Sequence, residues 1–175
     1  TVNEAFRANP DSEQVWLAAV KLESENSEPD RARMLLAKAR ERAGTERVWM
    51  KSTVLEISLG ESQDALRMAD QALAYHARFW KLYLIKAQLL ERLESYDAAR
   101  ETLSKGTKAC PDCVPVWLGA ARLEEGRGMV SKARSILEIA RLKINSPQLW
   151  LCAVRVERRA GNHKAAATLM AKALQ

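Results

Sequence analysis

Val15-Trp16-Leu17-Ala18-Ala19-Val20-Lys21-Leu22-Glu23 decides the fold, because altered copies of this stretch return at a near-constant interval along the chain. With the aromatic residue as position zero, the copies begin at Trp16, Trp49, Tyr83, Trp117 and Trp150, at intervals of 33, 34, 34 and 33 residues. Seven positions on stands an acid in four copies, Glu23, Glu56, Glu124 and Glu157, with Leu90 in the third. Sixteen positions on every copy has an alanine: Ala32, Ala65, Ala99, Ala133 and Ala166. Twenty-three positions on comes a second small residue, Ala39, Ala72, Gly106, Ala140 and Ala173. These columns settle the register of the third copy, since counting from Trp80 would put bulky Tyr96 where counting from Tyr83 puts Ala99.

A unit of about 34 residues that holds two helical patterns implies an all-α protein, a right-handed α-solenoid of five helix-turn-helix repeats. Trp16, Ala19, Val20 and Glu23 share one face of the first helix at the spacing i, i+3, i+4, i+7, and Ala32, Leu35, Leu36 and Ala39 do so in the second. Small side chains two turns apart let paired helices approach closely, and the tryptophan fills the space between neighbours. Asp11 and Ser12 are N-cap candidates for a helix from Glu13, Pro29 opens the next helix, and Gly44 stops it. Gly60, Gly128 and Gly161 stand eleven positions after their anchors, where a tight helix-ending turn needs positive φ. The divisions are 1–9 as the end of a preceding repeat, then repeats at 10–44, 45–77, 78–110, 111–145 and 146–175, all in one solenoid domain. The chain reads as a piece of a longer array whose uncapped ends are open to pairing with one another.

The composition fits such an array: Leu, Ala, Arg, Lys and Glu dominate, with only 7 Gly and 5 Pro. No apolar run approaches the ~20 residues of a membrane span, so no membrane role is expected. Three cysteines at no disulfide-framework spacing suit a reducing compartment. The net charge of +6 is unevenly placed, because residues 1–87 hold 13 basic and 13 acidic side chains while residues 88–175 hold 15 and 9. An acidic partner is therefore expected at the second half.

Candidate chemistry is sparse. Cys110-Pro111-Asp112-Cys113 could supply two thiolates to zinc, but Cys152, His76 and His163 belong to other copies, and reduced thiols at a helix joint is the preferred reading. With no histidine near a plausible nucleophile and no Gly-rich phosphate loop, neither an enzyme, a small-molecule substrate nor a cofactor is expected. The glutamate column could line a partner groove. A structural contact with an arginine or the backbone is preferred, because Arg33, Arg100 and Arg134 recur ten positions after it. Arg122, Arg127, Lys132, Arg155, Arg158, Arg159 and Lys164 form a candidate basic patch for a partner or for phosphates, against the plainer reading of a solvated helix face.

The tryptophan with its acid seven later, followed by Ala32-Arg33, Ala99-Arg100 and Ala133-Arg134, resembles the half-a-TPR (HAT) repeat of RNA-processing assemblies more than the ordinary tetratricopeptide repeat. Asn9-Pro10, Trp16 to Asn26, Leu35 to Arg40, Cys110-Pro111, Arg122 to Glu125 and Leu169 to Gln175 are similar to the C-terminal repeats of the pre-mRNA-processing factor six family of the spliceosomal tri-snRNP. That resemblance implies a nuclear scaffold that bridges snRNP proteins, contacts RNA optionally, and brings no catalytic residues. The sequence departs from the pattern at Tyr83 and Leu90, and at Leu66 and Ala167 where the arginine would stand. The alternatives are a HAT scaffold of 3'-end processing or of the crooked-neck kind, an RNA-binding solenoid using the basic half, and a helical enzyme subunit of the prenyltransferase α type.

Overall fold

The computed structural model describes residues 2–175, and Thr1 of the segment 1–9 lies outside the described residues. The described residues form eleven α-helices and no strand, the all-helical class that the periodicity implies. Contacts divide the chain into two compact units, one up to Leu82 and one from Tyr83. The first holds α1 (Val2–Ala8), α2 (Glu13–Glu25), α3 (Pro29–Ala43), α4 (Glu46–Ser58), α5 (Ser62–Tyr75) and the start of α6 (Trp80–Arg92). The second holds the rest of α6, then α7 (Tyr96–Ala109), α8 (Val114–Gly126), α9 (Val130–Lys143), α10 (Pro147–Arg159) and α11 (His163–Ala173).

One turn makes every hairpin. Eleven positions after each anchor φ is positive: Gly60, Gly128 and Gly161 lie at 74–79°, but Ser27 (58°) and Glu94 (56°) adopt the same conformation. The next amide donates to the carbonyl of the position-seven residue in all five copies, as Glu28 to Glu23, Glu61 to Glu56, Ser95 to Leu90, Met129 to Glu124 and Asn162 to Glu157, at 2.8–3.0 Å. The left-handed residue's own amide donates to position eight at 2.9–3.2 Å, which completes a Schellman closure. The second helix then starts within two residues, so the two helices of a copy are antiparallel neighbours.

The small-residue columns are where these helices meet. Ala32, Ala65, Ala99 and Ala133 have no exposed surface, nor have Ala39, Ala72 and Ala140, while Ala173 in α11 is exposed. At Gly106 even a methyl would sit 3.0 Å from Cβ and Cγ of Tyr83 and from Val116, which is why this column carries glycine in the copy where tyrosine replaces tryptophan. The anchors Trp16, Trp49, Tyr83 and Trp117 are buried and Trp150 is half-buried. Trp16 and Trp117 also donate their indole N–H to the carbonyls of Pro10 and Pro111, at 2.7 and 3.0 Å, which ties each ring to the joint before it. In the second unit the core runs continuously through Trp117, Ala121, Ala133, Leu137, Ala140, Leu149, Ala153 and Val156.

Ser27→Gly and Glu94→Gly should each raise stability by about 0.5–1 kcal/mol, since glycine removes the Cβ strain of the left-handed turn and returns part of the gain as chain entropy. Urea denaturation midpoints measure it; a lower midpoint for both variants would contradict this account of the turn.

Candidate functional site

The glutamate column holds neighbouring copies together. Glu56 of α4 is buried, and its two carboxylate oxygens accept from Nε and Nη2 of Arg33 in α3, at 3.0 and 2.9 Å. Arg100 of α7 grips Glu124 of α8 with the same two-pronged fork, and Arg134 of α9 grips Glu157 of α10. The arginine therefore serves the glutamate of the following copy, 23 or 24 residues on. Asp30 and Asp97 hold the free edges of Arg33 and Arg100, and Asn162 donates to Glu157 at 2.9 Å. Planar bidentate geometry makes these charge-assisted bonds the strong kind. The bond to the carboxylate raises the pKa of each guanidinium, against partial desolvation. The Glu157 carboxyl is lowered, first by the bond from Arg134 and then by Asn162, against its burial.

Glu23 is half-buried, with only Arg31 of its own hairpin 4.0 Å away. Leu66 and Leu90, two of the four departures from the pattern, are 24 residues apart in sequence, the same spacing as Arg100 and Glu124. A buried carboxylate stripped of its partner keeps its full desolvation penalty.

The basic candidates distribute over several faces. Arg122, Arg155 and Arg159 line a groove of about 460 Å³ between α8 and α10, together with Leu118 and Cys152. Two of these cations are engaged, Arg122 by Glu91 at 2.7 Å and Arg159 by Glu125 at 3.2 Å. Burial, then Glu125, pushes the Cys152 thiol up, so this cysteine is not activated. Arg127 lies over the ring of Tyr96, 3.9 Å from its centroid. Lys132 belongs to another groove, above α8 on its side towards α7 and α9. Arg158 and Lys164 are exposed at the end of α10 and the start of α11.

Cys110 is buried at the end of α7 and Cys113 caps α8. Among the described residues no group of three or more His, Cys, Asp and Glu side chains converges as metal ligands do. Among them, too, no helix is long and apolar enough to cross a membrane. His163 opens α11 exposed to solvent. His76, in no repeated column, places Nε2 2.8 Å from the Gly44 carbonyl and so carries its proton there. Arg40, also outside the columns considered above, lies 5.5 Å from the Trp49 ring centroid and donates to Ser52 at 2.7 Å. Its recurrence is visible in the sequence as Arg141, which covers Trp150 at 4.7 Å.

Helical hairpins of this length, closed by one turn and joined through small-residue columns, define a repeat array of the tetratricopeptide kind. The tetratricopeptide-repeat family profile matches residues 79–123, and MamA of Desulfovibrio magneticus RS-1 superposes with a TM-score of 0.60 at 16% identity, over 92% of each chain. In sequence the chain is similar to the pre-mRNA-splicing factor prp1 of Schizosaccharomyces pombe, 42% identical over 157 residues, which are 88% of this chain and 17% of prp1. Pre-mRNA-splicing factor 6 of Saccharomyces cerevisiae is 27% identical over 136 residues, 76% of this chain and 15% of that protein. The chain therefore spans less than a fifth of the length of either relative.

Replacing Arg100 alone by leucine should cost about 2–4 kcal/mol, since it strands the buried Glu124 carboxylate. Adding Glu124→Leu should return stability to within about 1 kcal/mol of the parent, because no charge is then left buried without a partner. A double-mutant cycle by urea denaturation measures this; additive losses would contradict it.

Proposed function

We propose that this chain is a protein-interaction array of a pre-mRNA splicing factor, working in the nucleus by holding other spliceosomal proteins, and that its finer role is to bridge components of the tri-snRNP. The observation that carries the proposal is the 42% identity to prp1 sustained over 157 residues. That identity is far above the 16% at which the fold alone recurs in a solved structure. The mechanism is binding: the tryptophans, alanines and glutamates build the array, and the residues between these columns are left to meet partners. Arg155, Arg158 and Lys164 are exposed cations that an RNA phosphate backbone could also meet.

The immobilised chain, incubated with nuclear extract with and without ribonuclease, should retain tri-snRNP proteins in both conditions, as identified by mass spectrometry. Retention lost on nuclease treatment would replace protein bridging by RNA binding. Recovery of 3'-end processing factors instead would overturn the splicing assignment.

A further inference from the structure

Over three of the first helices, α4, α8 and α10, between the second helices that flank them, lies a groove above the Arg–Glu fork. The groove above Arg33 and Glu56, along α3, α4 and α5, holds about 360 Å³. That above Arg134 and Glu157, along α9, α10 and α11, holds about 50 Å³. The corresponding groove along α7, α8 and α9 holds about 770 Å³, inside the size range of sites that bind ligands.

Three positions distinguish it in sequence. Arg40 and Arg141 stand twenty-four positions after their anchors and lie over the next tryptophan; in α7 that position is Thr107, whose hydroxyl turns back to the Ser104 carbonyl at 2.9 Å. Trp117 accordingly has no arginine over it; the Lys143 ammonium lies 5.7 Å from its ring centroid, and the ring joins the groove lining. On the opposite wall α9 has Ser135 and Ile139 where α5 has Arg67 and Gln71 and α11 has Thr168 and Lys172. The α8–α9 copy thus has a short side chain beside an apolar one, Ile139, which is 47% exposed. The floor is Leu103, Trp117, Ala120, Leu123 and Ile136.

The rim is cationic. Lys108 of α7 and Lys132 and Lys143 of α9 are exposed, and among the described residues none of the three forms an ion pair. The one carboxylate in the lining, Glu124, has both oxygens taken by Arg100. An apolar trough edged by three positive charges, none of them held by a carboxylate among the described residues and one, Lys143, over the Trp117 ring, complements a segment of apolar side chains interspersed with acids.

We infer that the α7–α8–α9 groove is a docking site for an acidic, apolar-anchored segment of a partner protein. RNA is a poor match, because base stacking needs an open ring face and Trp117 is 6% exposed among aliphatic neighbours. The inference depends on the scaffold reading only in taking the occupant to be protein; the splicing assignment does not enter it.

The test uses the full 175-residue chain as bait for a phage-displayed library of random 12-residue peptides, with a sixteen-nucleotide oligouridylate as the nucleic-acid comparison. Enriched peptides should combine Leu, Phe or Met with Asp or Glu. Lys132→Glu with Lys143→Glu should weaken them about tenfold or more by fluorescence anisotropy, whereas Lys164→Glu should change them less than about twofold. Thr107→Arg restores the side chain that covers the ring in other copies. It should abolish binding despite adding positive charge, with circular dichroism and thermal midpoint unchanged. No enrichment, enriched peptides without acids or apolar anchors, indifference to Thr107→Arg, or oligouridylate binding tighter than any peptide would each overturn the inference. If Thr107→Arg and parent retain the same splicing proteins from extract, the groove is wrong and the scaffold reading stands. If the parent retains none yet selects acidic peptides that Thr107→Arg rejects, the groove stands and the splicing assignment falls.

Discussion

In three of the five copies a single glutamate connects the closure of one hairpin to the attachment of the one before it. Its carbonyl accepts the Schellman bond that ends the first helix, and its carboxylate, buried at Glu56, Glu124 and Glu157, accepts the arginine fork of the preceding second helix. Neither bond is optional in a dry site. An unpaired carboxylate at 2% exposure, as Glu124 would be without Arg100, costs far more than a loose surface charge. Each copy is therefore completed by its neighbour. The same dependence holds for the apolar part, since Ala32, Ala39, Ala65, Ala72, Ala99, Ala133 and Ala140 have no exposed surface only because another helix lies against them.

Constraint on the columns leaves variation free between them, and that is where one repeat can acquire a surface the others lack. Thr107 sits in a place that arginine holds twice elsewhere, so the helices stay in position while the covering side chain is gone.

Much of the fold was legible because it depends on periodicity, and periodicity survives in one dimension. The anchor spacing and the two alanine columns located the hairpins, and Gly60, Gly128 and Gly161 located three turns. Ser27 and Glu94 were not recognisable, since neither residue type advertises a left-handed conformation; the helix-to-helix register imposes it on them. The arginine column was visible, but its partner was not. Ten residues back within a copy and twenty-three forward to the next are both plausible distances in sequence, and only packing selects the second. The basic residues looked alike as a list. In space Arg122 and Arg159 meet acids of adjacent first helices, Arg127 meets an aromatic ring, and Lys132 stands at a groove among the second helices. The groove itself had a signal in the sequence, the break at Thr107 in a partial arginine column, but its meaning requires knowing that the column covers tryptophans.

The claim that each copy is completed by its neighbours is tested most directly by amide hydrogen exchange on Trp117→Ala. Removal of the ring should leave a cavity that lowers protection in α7, α8, α9 and α10, while α2, α3 and α4 exchange as in the parent. Equal loss of protection in every helix would mean one cooperative core, and loss confined to α8 would mean self-sufficient repeats; either result would contradict the account.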